Sequence, residues 1–212
     1  MKFLVFSDVH GNLPALESVF KTESNVDGYI NIGDVVNYGP WSNECVELIE
    51  SLDNCYNIKG NHEVYFEKGI CNVENKLVQD FFNITYKDFK HQEIIKLYKD
   101  KIEFKEFDLI HTIGEKDYIF EDTEVNLTKN TILGHSHKQF IRIIDGKYLV
   151  NPGSIGQNRK WINVSNYVLW DTETNEFTQK QMTFNLEFLL NEMAVRNYPK
   201  NCIEYYKNKK RY

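Results

Sequence analysis

The chain has 212 residues, 42% of them hydrophobic, with 31 acidic against 25 basic side chains for a net charge of −6. No apolar run approaches the roughly 20 residues of a membrane-spanning helix, so no membrane role is expected. The acidic balance argues against a nucleic-acid polyanion as the main partner.

Four cysteines, Cys45, Cys55, Cys71 and Cys202, are scattered without a Cys-x-x-Cys pair. That spacing disfavours a thiolate metal site or a disulfide framework. With Met1 leading straight into a strand-type run, a cytoplasmic location is expected.

Residues 3–7 form a short β-rich run, after which Asn12 and Pro14 mark a helix start. Leu13, Leu16, Val19 and Phe20 then share one helical face. A second strand is expected at 29–32, a helix at 43–52 and a third strand at 55–59. Alternation of this kind predicts right-handed βαβ units and a sheet flanked by helices. Residues 63–100 read as helical and charged, a candidate cap over one sheet edge. Strand signals return at 107–111, 118–120, 131–133, 140–144, 147–150, 167–171 and 177–182. Asp145-Gly146 supplies a hairpin turn between two of them. Two helices, 186–196 and 200–207, separated by Pro199, close the chain. The expected architecture is α/β, two packed mixed sheets with helices outside, in a single domain over residues 1–212.

Histidine placement carries the chemistry. Of the six histidines, His10, His62, His111, His135 and His137 each lie just past an apolar β-type run, and only His91 does not. His91, in the charged helical stretch, reads as a surface residue. Asp8, Asp34 and Asn61 occupy equivalent places. In open α/β sheets ligands gather beyond the carboxyl ends of the strands. A lone histidine is more often structural than functional, but five independent placements at equivalent strand ends outweigh that prior. Asp8-Val9-His10 and His135-Ser136-His137 project paired ligands to one side of an extended chain. Carboxylate with imidazole suits a borderline transition metal such as Mn, Fe or Zn better than Ca or Mg. Seven ligands exceed the three or four that one catalytic ion takes, which points to two ions sharing a carboxylate. Gly11, Gly33, Gly60 and Gly134 permit tight turns beside them.

Together, Asp8-x-His10-Gly11-Asn12, Gly33-Asp34, Gly60-Asn61-His62-Glu63, His111 and Gly134-His135-x-His137 resemble the calcineurin-like metallophosphoesterase superfamily. The blocks at 33–40 and 151–157, and the closing helix pair, resemble its small bacterial and archaeal phosphodiesterase branch. The resemblance implies a four-layer αββα sandwich. It also implies one ion on Asp8, His10 and His137, another on Asn61, His111 and His135, and Asp34 bridging them. His62 matches the non-ligand histidine that faces the leaving group. The implied cofactors are two divalent transition-metal ions, Mn first, with Fe, Ni or Zn as alternatives. The implied reaction is hydrolysis of a small phosphate ester by in-line attack of a metal-bridging hydroxide.

Protein phosphatases of the superfamily carry Asp and Arg after the bridging Asp, where this chain has Asn37 and Tyr38. The missing arginine favours a phosphodiesterase over a phosphomonoesterase or protein phosphatase. The remaining alternatives are a non-catalytic scaffold of the same fold and a nuclease acting on DNA or RNA ends, the latter disfavoured by the acidic charge. Glu63, beside His62, is expected to orient its imidazole. Tyr38 and Trp41 are candidates for an apolar wall around the leaving group, with core or lid packing the competing role. Arg159 either touches substrate or closes its loop by a hydrogen bond, and the loop role is preferred.

Overall fold

A computed structural model describes residues 1–114 and 118–212. In chain order the elements are β1 (Lys2–Phe6), α1 (Leu13–Thr22), β2 (Gly28–Asn31), α2 (Ser42–Glu50), β3 (Cys55–Asn57) and α3 (Asn61–Lys68). Then follow α4 (Lys76–Tyr86), α5 (Gln92–Ile95), β4 (Lys101–Phe104), β5 (Phe107–Ile110), β6 (Asn130–Ile132) and β7 (Phe140–Ile144). The last are β8 (Lys147–Asn151), β9 (Val164–Asp171), β10 (Glu176–Thr183), α6 (Leu186–Val195) and α7 (Lys200–Lys207).

The strands form two five-stranded mixed sheets, ordered β10-β9-β1-β2-β3 and β4-β5-β6-β8-β7. β1, β2 and β3 run parallel, as do β5, β6 and β8, while β9 is antiparallel to β1 and β10 antiparallel to β9. Alternation along the central strands explains how the layers stack. On β1, Leu4 and Phe6 pack with the helices, and Phe3 and Val5 face the other sheet. β9 divides likewise, with Tyr167 and Leu169 on the helical side and Val168 and Trp170 on the inter-sheet side. A strand apolar on both faces is the signature of burial between two layers. Phe107, Leu109, Ile132 and Val150 close the inter-sheet core from the second sheet. Full burial of a side chain such as Phe3 or Ile30 contributes about 1.5–3 kcal/mol. The two packed mixed sheets flanked by helices match the expected architecture.

Three details differ from the sequence reading. The stretch at 118–120 is not a strand: Ile119 alone is buried, and Tyr118 and Phe120 are exposed. An edge strand, β4, was not expected; it pairs with β5 in a hairpin whose turn residue Lys105 takes φ 53° without a glycine. The helical stretch resolves into α3, α4 and α5, with α3 beginning at Asn61 itself.

Candidate metal centre

Every candidate ligand follows the carboxyl end of a parallel strand. Asp8 and His10 follow β1, and Asp34 follows β2. Asn61 and His62 open α3 after β3, His111 follows β5, and His135 and His137 follow β6. The loops are tied to one another by Asp8 N donating to Gly33 O at 2.9 Å, Gly134 N to His111 O at 3.1 Å and His135 N to Asp8 Oδ2 at 3.2 Å. Five of the seven candidate ligands hold left-handed backbone: Asp8 (φ 53°), His10 (49°), Asp34 (57°), His135 (66°) and His137 (58°). For non-glycine residues this costs roughly 1–2 kcal/mol each, and such strain gathers at functional sites. Gly60 is needed for close approach, since a Cβ there would stand 2.2 Å from Asp34 Oδ1.

Hydrogen bonding at the far side of each ring fixes what faces the centre. His10 Nδ1 lies 3.3 Å from Val36 O, and His137 Nδ1 lies 2.8 Å from Gln157 O. A carbonyl only accepts, so each Nδ1 carries the proton. Burial, with a neighbouring histidine next in each case, holds both rings well below the usual histidine range, so they are neutral. Their Nε2 atoms nevertheless meet at 3.2 Å, lone pair to lone pair. Asp8 Oδ1, 3.2 Å from His137 Nε2, is buried without a hydrogen-bond partner among the described residues. An arrangement so repulsive on its own is what a cation between the three groups would relieve.

The second cluster repeats the pattern. His111 Nδ1 lies 2.6 Å from Ile32 O, and its Nε2 faces Asp34 Oδ2 at 3.2 Å. Burial opposes a charge on His111, but the Asp34 carboxylate prevails and lifts it to about 10. On Asp34 the burial effect is likewise outweighed, by His111 and then His62, and its carboxyl falls well below the usual range. Burial pushes Asp8 up to about 7. Among the described residues, three groups have ligand atoms within 4.8 Å of one another: Asp8–His10–His137, Asp34–His111–His135 and His10–Asp34–His62. Asn61 Oδ1 is buried with no hydrogen-bond partner among the described residues. The nitrogen and oxygen donors present fit divalent transition metals.

Above this floor opens a cleft of about 570 Å³. Asp34, Asn61, His62, His111, His135 and His137 line its base, while Asp8 and His10 lie sealed beneath. Tyr65, Val73 and Val78 make one wall, and Tyr38, Tyr118 and Arg159 also face it. Tyr118 stacks on His135, ring centres 4.8 Å apart and 12° from parallel. Trp41 is absent from the cleft; buried at the edge of the helical core, it stacks on the exposed Phe188 of α6 at 5.6 Å.

The preferred loop-closing role of Arg159 is not what the structure holds. That loop is closed by Asn158 Oδ1, which accepts from Lys160 N and Trp161 N at 2.8 and 3.1 Å, and by Ser154 Oγ, which accepts from Gln157 N at 2.7 Å. Arg159 is exposed, 6.0 Å over the Tyr118 ring, with no hydrogen bond or ion pair among the described residues. Glu63 does not orient His62 either. Its carboxylate accepts from the backbone N–H groups of Asp34 (2.7 Å), Val35 (2.7 Å), Val36 (3.2 Å) and Gly60 (2.8 Å), clamping the Asp34 loop. The group at His62 Nδ1 is Asn37, through Nδ2 at 2.8 Å. His91 lies outside the cleft and, only partly exposed, bonds Glu47 of α2 at 2.7 Å.

Residues 1–175 match the model of the calcineurin-like phosphoesterase superfamily domain. An uncharacterized Methanocaldococcus jannaschii protein, MJ0912, is 31% identical over 202 residues, covering 79% of this chain and 81% of that one. A solved metallophosphoesterase from Sphaerobacter thermophilus shares the fold with a TM-score of 0.79, 21% identity and 98% coverage of both chains. The hypothetical protein PH1004 from Pyrococcus horikoshii OT3 superposes with a TM-score of 0.81 at 17% identity, covering 97% of each chain. A family match over most of the chain, falling on the loops that carry these carboxylates and imidazoles, places the chain in the calcineurin-like phosphoesterase superfamily.

Proposed function

We propose that the chain is a phosphodiesterase working with two divalent transition-metal ions, manganese first among them. Asp8, His10 and His137 would hold one ion, Asn61, His111 and His135 the other, and Asp34 would serve both. The observation that carries this reading is the convergence of donor atoms on one floor: His10 Nε2 faces His137 Nε2 lone pair to lone pair, and the His111 ring faces the Asp34 carboxylate, both at 3.2 Å. When bound, such ions supply a nucleophilic water and neutralise phosphoryl oxygens.

The chain's own groups do the rest. His62, with Nε2 3.9 Å from Asp34 Oδ2, stands at the cleft base and hydrogen-bonds the departing oxygen. Tyr65, Val73 and Val78 shelter the organic group from water. The loop after Asp34 carries Asn37 and Tyr38 and offers no guanidinium for a phosphomonoester dianion. Arg159 enters from the opposite loop and meets the single charge of a diester.

Metal-stripped protein reconstituted with Mn, assayed on bis-p-nitrophenyl phosphate and p-nitrophenyl phosphate, tests the reading. Mn-dependent turnover of the diester above the monoester is expected, together with two ions per chain and loss of turnover in Asp34→Asn. Two bound ions without turnover of either ester, under Mn, Fe, Ni or Zn, would instead favour the scaffold alternative.

A further inference from the structure

The amide of Asn37 can be oriented in only one way. Its Oδ1 accepts the backbone N–H of Tyr38 at 2.7 Å, and a backbone N–H can only donate. Thr85 Oγ1 of α4 lies 3.1 Å from the same oxygen. The Nδ2 group therefore points at His62 Nδ1, 2.8 Å away, and donates to it. Asn37 is fully buried, and its own N–H is held by Ser42 Oγ at 3.1 Å, so neither end of the residue is free to turn. His62 Nδ1 is consequently an acceptor, and the ring's proton sits on Nε2, the nitrogen at the cleft base.

We infer that Asn37 is a positioning residue that locks His62 as an Nε2–H donor, and that the lock selects esters whose leaving oxygen is weakly basic. The inference rests on the phosphodiesterase reading above. A ring with bare Nδ1 gives a hydrogen bond through Nε2–H, but surrendering that proton would leave an imidazolate with an amide N–H, not a proton source, behind it. As the water oxygen–phosphorus bond forms, that water gives one proton to solvent, the phosphorus–leaving-oxygen bond breaks, and the electron pair departs on the leaving oxygen. The oxygen leaves as an anion, hydrogen-bonded to His62, and takes its proton from solvent. Aryl, enol and phosphoanhydride oxygens tolerate this, and simple alkoxides do not. A carboxylate at position 37 would reverse the polarity, accepting from Nδ1–H and allowing the ring to pass its Nε2 proton across.

Two measurements test the lock. In Zn-loaded full-length protein, ¹⁵N spectra of the imidazoles, with His62 assigned by its loss in His62→Gln, should show Nε2 protonated and Nδ1 bare. A His62 ring protonated on Nδ1 would overturn the proposal without any assay. In the Mn-loaded enzyme, kcat and KM are read over methyl aryl phosphodiesters of graded phenol basicity. The native rate should fall steeply as basicity rises. Asn37→Asp should flatten that dependence, and Asn37→Ala should lower kcat about tenfold or more for the poorest leaving group at similar KM. A uniform loss across the series in both variants would reduce Asn37 to a structural residue. Hydrolysis of no ester, with the Nε2–H form present, would overturn the phosphodiesterase reading and the leaving-group preference with it.

Discussion

The Nε2 atoms of His10 and His137 face each other at 3.2 Å, while their Nδ1 atoms are committed to the carbonyls of Val36 and Gln157. Neither ring can rotate away without stranding a buried carbonyl, so the repulsion is built into the fold and a cation relieves it. Zn or Mn should therefore raise the melting temperature of stripped protein. At a hundredfold excess over Kd the gain is about 2.7 kcal/mol, or roughly 5–10 °C for a chain of this size. His137→Ala should lose one bound ion by elemental analysis and a large part of that gain. An unchanged ion count in this variant would remove His137 from the ligand set.

His111 sets the direction of the pH dependence. In the metal-free protein the Asp34 carboxylate, against the effect of burial, holds His111 at about 10 rather than its ordinary 6.5. Between those values the folded chain carries a proton that the unfolded chain lacks. The pair thus stabilises the metal-free fold fully between the ordinary values of the two groups, 3.8 for Asp34 and 6.5 for His111; the contribution is lost as pH rises through about 10, and again as pH falls through the depressed range of Asp34. Metal uptake must displace the same proton, so apparent affinity rises with pH over that window. Calorimetry of Zn binding at neutral pH, in buffers of different ionisation enthalpy, should show about one proton released from His111. Asp8, lifted to about 7, adds a fraction of a second. No buffer dependence would contradict the Asp34–His111 pairing.

Much of the site was legible because its residues are delivered locally. Asp8, Asp34, His111 and His135 each sit just past a strand whose apolar run shows in the sequence, and the parallel sheets bring those ends together. What escaped depends on direction. The Asn37–His62 bond spans 25 residues and the Glu63–Asp34 bond 29, and no spacing rule announces either. Glu63 was assigned to its sequence neighbour, His62, but as the third residue of α3 it reaches back over the helix start to the Asp34 loop. Tyr118-Ile119-Phe120 has strand composition, yet Tyr118 is turned out to stack on His135.

The Glu63 clamp makes a stability prediction of its own. One fully buried carboxylate satisfies four backbone N–H groups, three of them on the loop that presents Asp34. Glu63→Ala leaves those donors buried and unpaired, and each unmet donor costs about 1–3 kcal/mol. A loss of several kcal/mol in chemical denaturation is expected, with weaker metal binding because Asp34 is no longer held. Glu63→Gln keeps the shape but sets one amide N–H₂ against backbone donors, so an intermediate loss is expected. A Glu63→Ala protein as stable as the native chain would show that the clamp is dispensable.

Arg159 stands over the Tyr118 ring at the mouth of the cleft, exposed and with no ion pair among the described residues. A guanidinium beside the cleft, with no acidic partner among the described residues, is available to a substrate phosphoryl oxygen. Arg159→Ala should raise KM for a diester about tenfold or more, the equivalent of one charge-assisted hydrogen bond. Metal content and melting temperature should not move, because no structural bond among the described residues is lost. Arg159→Lys should recover part of the affinity, since the charge remains while the planar fork is gone. Tyr118→Ala gives the control for placement: it removes the surface under the guanidinium and should raise KM in the same direction by less. If Arg159→Ala lowers kcat or the ion count and leaves KM alone, Arg159 acts on the metal ligands and not on the substrate.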